Sequence, residues 1–319
     1  MARAKRSKRI EMYDPDKLKK VNSESKRLIR EYEKDMVLRE LSPTTRKGYL
    51  NDLNQWLIYV LDNQDNISVL EIDEDLLTDF FYFCKSEGNN TQRMRRRYAS
   101  ISAFYKFLRK KRKIVENPME FIDRPIKNTE VVQQTYLTAK QIDDMKQKLT
   151  ECGNLTLEVY GLLSLSTMAR VNAIAHIRWE QIDFSDRVIR DVLEKEGKIV
   201  TLFFSEEVKQ KLINLQHFRV TNDVDDGGWL FFSKQDDAPR AVSTNTLYQW
   251  CKKIGKMISV ESLHPHDFRH SAAQQLKLAG MPLEDISVLL NHESTETTRK
   301  HYLQIDTKSL RESKDKFGI

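Results

Sequence analysis

Leu263-His-Pro-His-Asp-Phe-Arg-His270 and Leu289-Leu-Asn-His-Glu-Ser-Thr-Glu-Thr-Thr-Arg-Lys-His-Tyr-Leu-Gln304 are the two stretches on which the reading of this chain turns. The first opens a helix predicted to end near Gly280. His266 and Arg269 lie three residues apart and so share one face of it, close to an N-terminus where free amides and the helix dipole favour an anion. That pairing suits a phosphate. The second stretch sets His292 and Tyr302 at either end of a polar turn and helix start.

Two further elements lie upstream. Ser166-Thr-Met-Ala-Arg-Val171 follows an apolar helix expected over about 155–167 and carries Arg170. Short β-rich runs at Arg187-Val-Ile189, Val192-Leu193 and Ile199-Val-Thr-Leu-Phe-Phe204 predict a small antiparallel sheet, with Lys195-Glu-Gly-Lys198 at a hairpin turn between them. After Ser205 the pattern returns to helices. His266-Asp-Phe-Arg-His270 also invites comparison with a His-Glu-x-x-His zinc helix, but Asp267 stands where the glutamate belongs. Arg269 would push a cation toward any metal held between the histidines.

Taken in order, His-x-x-Arg-His, Leu-Leu-x-His, Thr-Thr and Tyr resemble the second signature box of the tyrosine recombinases of the phage-integrase family. Ser166–Val171 resembles the first box, and Lys195–Lys198 the family's β-hairpin lysine motif. Leu41-Ser-Pro-Thr-Thr-Arg-Lys-Gly-Tyr-Leu-Asn-Asp-Leu53 resembles the start of its helical core-binding domain. The likeness covers nearly everything after residue 35. It implies Arg170, Lys195, His266, Arg269, His292 and Tyr302 as the catalytic set, with Lys198 an alternative to Lys195. It also implies a site on double-stranded DNA, a dimer on each site, a tetramer in synapsis, and no metal or cofactor. A regulator of the same fold that binds DNA without cutting it is the alternative expectation. The chain departs from the family pattern at Met168, where glycine is usual, at Ala173, where an acid is usual, and at Asn291, usually glycine. Tyr302 also stands one residue later than usual, after His301.

These residue types suit metal-free cleavage of a phosphodiester. Arginine forks neutralise charge that grows on nonbridging oxygens, the role given to Arg170 and Arg269. A free tyrosine with a pKa near 10 is only about one part in a thousand ionised at neutral pH, so it needs a base or an electropositive pocket. His266 is the candidate base, His292 a phosphate donor and Lys195 the acid for the departing oxygen.

Along the rest of the chain, residues 1–34 read as a basic arm with some helix and little core, and residues 35–117 as a helical core-binding (SAM-like) domain. A linker is expected over 118–135 and a catalytic domain over 136–319. Ser42 and Pro43 open the first long helix, and a second runs from about Glu74 to a stop at Gly88. A third spans about 91–111, with Met94, Tyr98, Ile101, Tyr105 and Leu108 on one face. Arg93, Arg96 and Arg97 lie on the adjoining face, and Lys110, Lys111 and Arg112 extend the charge past its end. No acid falls between Thr91 and Val115, so both groups are expected to meet DNA backbone. Thr138-Ala-Lys-Gln141 has the spacing of a capping box. The 319 residues carry a net charge of +6, a basic surplus that suits an anionic partner. Few Gly and Pro predict a helix-rich protein; with the β-rich runs this gives a mostly α protein with a small antiparallel β-sheet, and the resemblance implies the two-domain DNA breaking-rejoining fold. Three scattered cysteines, Cys84, Cys152 and Cys251, form no disulfide or zinc pattern, and the basic start runs into acids rather than an apolar stretch. A cytoplasmic protein is expected, and the resemblance implies a phage or other mobile element as its source.

Overall fold

The computed structural model describes residues 12–126, 136–194, 197–292 and 314, and the chain divides into two compact units, 1–133 and 134–319. The first unit is helical: α1 (Pro15–Lys20), α2 (Ser23–Leu38), α3 (Pro43–Asn63), α4 (Glu74–Ser86) and α5 (Thr91–Lys110). Ser42 caps α3 by accepting from the Thr45 amide at 3.2 Å. Its inward face buries Leu53, Trp56, Leu57 and Val60 in the unit's core, with the Trp56 ring against Phe104 and Tyr105 of α5.

Two sequence expectations need correction here. Residues 12–34 are not an arm with little core. Leu28, Ile29, Tyr32 and Met36 of α2 are buried, and the Tyr32 ring lies 5.5 Å from that of Phe104 and 5.2 Å from that of Phe107. The stripe is masked in the sequence because Arg30, Glu31, Glu33, Lys34 and Asp35 are interleaved with it and dominate the local average. Nor does a linker begin at residue 118. A short 3₁₀ turn, Pro118–Glu120, packs Met119 into the same core, and the Tyr98 hydroxyl donates to the Ile122 carbonyl at 3.1 Å. The rest of that expected linker, residues 127–135, lies outside the described residues.

The basic face of α5 is also less open than its sequence suggests. Asp52, a fully buried carboxylate on α3, reaches Arg93 at 2.5 Å, Arg96 at 3.3 Å and the Ser100 hydroxyl at 2.9 Å. The acid missing from α5 therefore arrives from a neighbouring helix. Arg97, expected to face DNA, is 2% exposed; it donates to Asn89 Oδ1 at 2.9 Å and Gln55 Oε1 at 2.8 Å, and stands over the Phe80 ring. Interior hydrogen bonding occupies this guanidinium, so it presents no surface to a phosphate. Arg96 remains half exposed, and Lys110, Lys111 and Arg112 lie at the surface.

The second unit winds α6 (Ala139–Glu151), α7 (Leu155–Thr167) and α8 (Val171–Ala175) before β1 (Ile182–Asp183), β2 (Val188–Leu193) and β3 (Ile199–Phe203). The capping box at Thr138 and Gln141 is formed. The strands make an antiparallel sheet in the order β1-β2-β3, with Ile189 opposite Leu202 and Leu193 opposite Ile199. A bulge near Asp191, at φ 54°, breaks the register. Next come α9 (Glu206–Thr221), the hairpin β4 (Phe232–Gln235) and β5 (Ala238–Ala241), α10 (Thr244–Met257), α11 (Pro265–Leu278) and α12 (Leu283–Leu289). That hairpin was not anticipated, since Phe232-Ser-Lys-Gln lacks the β-branched alternation of a strand. It is set by its two-residue turn, in which Asp236 and Asp237 both hold positive φ, 51° and 59°. Apolar α7 runs through the core flanked by α6, α9 and α11, and its C-terminal end brings the chain to Arg170.

Replacing Arg97 by Ala should lower the unfolding free energy by about 2–4 kcal/mol in urea titrations, because it orphans Asn89 and Gln55 as well as removing a buried side chain. Lys110→Ala should change it by less than about 0.5 kcal/mol, as surface substitutions do. Equal effects would contradict the interior role of Arg97.

Candidate active site

The site is assembled where α7 ends. Met168 terminates that helix in the left-handed conformation, φ 53° and ψ 20°, and the turned chain sets Arg170 at the start of α8. A non-glycine residue in this region costs about 1–2 kcal/mol. Here the Met168 side chain offsets it by packing, 2% exposed, against Ala273, Ile286 and Leu290. Asn291, the other position where glycine is usual, also holds positive φ, 51°. Both departures thus preserve the backbone shape that glycine adopts without strain.

Arg269 on α11 joins these pieces. Its Nη1 donates to the Met168 carbonyl at 2.6 Å, and its Nη2 donates to the Leu290 carbonyl at 2.5 Å and to His292 Nε2 at 2.9 Å. Because a guanidinium only donates, His292 must accept at Nε2 and carry its proton on Nδ1. One arginine, 4% exposed, therefore fixes the end of α7, the end of α12 and the tautomer of a histidine.

His266 lies one turn earlier on α11. Its ring stacks on His264 at 5.8 Å, which in turn meets Tyr248 edge-on at 4.8 Å. Desolvation by this packing, followed by the positive charges of Arg269 and Arg170, holds the His266 pKa below its ordinary value. The ring is consequently kept neutral, the state a proton acceptor needs.

Arg170 makes an ion pair with Glu194, whose carboxylate is 1% exposed at the end of β2. Ala173, where the resemblance leads one to expect an acid, is itself buried, so the carboxylate that meets Arg170 comes from the sheet. Across the turn, the Glu194 amide donates to the Lys198 carbonyl at 2.8 Å, and Lys198 Nζ reaches the Asn291 carbonyl at 3.5 Å. The hairpin is thus tied to both halves of the site. Lys195 and Tyr302 lie outside the described residues. Of the sequence-derived set, the structure gathers Arg170, His266, Arg269 and His292 around one spot, with Lys198 at its edge. Glu194 was missed, since a glutamate beside lysines in a turn reads as a solvated residue. Among the described residues no group of three His, Cys, Asp or Glu is arranged to hold a metal ion.

Comparison with known proteins bears on the family and the fold. The model of the phage integrase family matches residues 135–309, and that of the phage integrase N-terminal SAM-like domain matches residues 29–112. A tyrosine recombinase XerC of Syntrophus aciditrophicus is 29% identical over 301 residues, covering 86% of this chain and 92% of the relative. Among solved structures, the site-specific recombinase XerH bound to a palindromic difH substrate, a post-cleavage complex, superposes with a TM-score of 0.69 at 17% identity. That match covers 96% of this chain and 90% of XerH. The Tn1549 transposon integrase with transposon right-end DNA gives 0.67 at 17% identity, covering 92% and 99%. At these identities the structural matches speak for the fold.

Two outcomes check this geometry. In an NMR titration the His266 ring should protonate below the ordinary value near 6.5, and Arg170→Gln should move it back upward. With its folded pKa lowered, this residue contributes stability above pH 6.5 that is lost as pH falls through the lowered value. Met168→Gly should destabilise the fold by about 1–3 kcal/mol in urea titrations. The lost buried thioether, at about 2–4 kcal/mol, outweighs the relieved left-handed strain.

Proposed function

The chain belongs to the phage integrase family and is a tyrosine-type site-specific recombinase, and from that premise we propose that it cuts and rejoins double-stranded DNA through a 3′-phosphotyrosyl intermediate. The observation that carries this reading is the convergence of Arg170, His266, Arg269 and His292, four groups suited to a single phosphate. In the reaction we assign, the Tyr302 phenol oxygen attacks the scissile phosphorus as His266 takes its proton. Arg170 offsets the charge growing on the nonbridging oxygens by donating to them, and His292 donates a hydrogen bond to them. Arg269, with Nη1 and Nη2 engaged by Met168, Leu290 and His292, adds the field of its positive charge. The bond to the 5′-oxygen breaks as Lys195, with Lys198 the alternative, supplies that oxygen with a proton. One phosphodiester is exchanged for another, so the reverse attack by a 5′-hydroxyl restores DNA without ATP or metal.

The neutral state of His266 supports its role as base, since a protonated ring could not accept. The fixed tautomer of His292 supports a donor at Nδ1. The partners we assign are a specific duplex site, a second copy of the chain on that site, and a tetramer when two sites meet. The helical first unit, from Met12 through the turn at Met119, serves as the core-binding domain, with Arg93, Arg96, Lys110, Lys111 and Arg112 toward the phosphates. We assign the protein to the cytoplasm; no helix among the described residues is long and apolar enough to cross a membrane. Integration or excision of a phage or other mobile element is the task carried over from the sequence boxes. The rival task is resolution of joined circles. A plasmid bearing two copies of the site in direct repeat, and a pair of plasmids bearing one each, separate deletion from joining.

The deciding experiment selects the preferred DNA, places a nick just downstream of each candidate scissile phosphate, and looks for a protease-sensitive covalent complex. Wild type should form one and Tyr302→Phe should not. Tight, specific binding without an adduct across substrates tiling the whole site would make the chain a DNA-binding regulator instead. Changing Lys110, Lys111 and Arg112 together to Ala should weaken binding to all sequences. It should also flatten the slope of log K against log salt by about 2 to 3, at roughly 0.9 for each phosphate no longer neutralised.

A further inference from the structure

We propose that Glu194 is a positioning residue for the strand-transfer reaction, acting through Arg170, an assignment that rests on the function proposed above. A carboxylate withdrawn from water is costly unless it is paired. The Glu194 side chain is 1% exposed, and among the described residues its ion-pair partner is Arg170. Its second oxygen, Oε1, is buried with no hydrogen-bond partner among the described residues. Such a group is poorly explained as a source of stability, because a packed apolar residue would serve that end as well.

Its effect on Arg170 is specific. The arginine emerges at the start of a helix of five residues, Val171–Ala175, which by itself gives a long side chain little support. The buried carboxylate grips Nη1 from the protein side, while the arginine side chain remains 33% exposed. A planar fork held at one donor has less freedom to lose when its other donors meet a phosphate, which lowers the ordering cost. The same residue also fixes the hairpin: its amide closes the turn on the Lys198 carbonyl, and Lys195 comes directly after it in the chain. Glu194 thus sets the phosphate-binding arginine and the base of the lysine-bearing turn in one register.

The test measures single-turnover formation of the covalent complex by the full chain on a nicked substrate, comparing wild type with Glu194→Gln. Two versions of the DNA are used, one with an ordinary scissile phosphate and one with a methylphosphonate there, which gives Arg170 no anionic oxygen to neutralise. Glu194→Gln should slow the reaction about 10- to 100-fold on the ordinary phosphate, the loss typical of removing a group that orients a reacting one. Its DNA Kd should stay within about twofold of wild type, and on the methylphosphonate the difference should shrink below about threefold. If the variant is unfolded at assay temperature by circular dichroism, Glu194→Asp is read on the same two substrates by the same criterion. Wild-type rates in the variant, or the same loss on both substrates, would overturn the assignment, the second marking a merely structural defect. Absence of an adduct with wild type on the ordinary phosphate would instead overturn the strand-transfer reading, and this assignment with it.

Discussion

The donors of Arg269 hold the catalytic unit's chemistry together. Two go to backbone carbonyls at Met168 and Leu290 and one to His292, so three segments far apart in sequence share one guanidinium. Lysine could not replace it, since a single ammonium lacks the planar fork that spans such a set. Arg170 depends on this indirectly, for the turn that presents it begins at the carbonyl Arg269 grips. His266 depends on it through charge, being held neutral in part by the same cation. A buried arginine of this kind acts first as a frame and only then as an electrostatic group.

Much of this was legible in the sequence, and the reasons are local. Helices α3 through α7 carry caps and apolar stripes long enough to be read, and Ser42, Thr138 and Gly88 punctuate them. The sheet around Ile189 and Leu202 showed itself through β-branched runs. The residues gathered at the site could be named because their types, in that order, resemble the signature boxes of the family, and those types suit phosphate chemistry. What stayed hidden depends on tertiary partners. Asp52 and Glu194 are acids whose meaning comes from arginines 41 and 24 positions away in the chain, at Arg93 and Arg170. Sequence spacing carries no trace of such pairings. The β4–β5 hairpin was hidden for a different reason, its strands being polar and its turn built on two aspartates rather than glycine.

Departures at Met168 and Asn291 illustrate how a backbone requirement outlives the residue that usually meets it. Positive φ persists at both positions, and in each case something else stabilises it: a buried thioether at Met168, and at Asn291 a short polar residue that tolerates the left-handed region. The acid that faces Arg170 has likewise come from a different element.

Helix α2 bears on how the first unit can be dissected. A fragment begun at residue 29, where the match to the SAM-like domain starts, or at residue 35, would lose Leu28 or the whole of Leu28, Ile29 and Tyr32. In the second case Phe104 and Phe107 would lose the Tyr32 ring that covers them and be left partly facing water, giving a sticky and protease-sensitive product. The modular boundary suggested by homology and the physical boundary of the folded unit are therefore different places in this chain, and a separable DNA-binding piece has to keep the residues from Met12 onward.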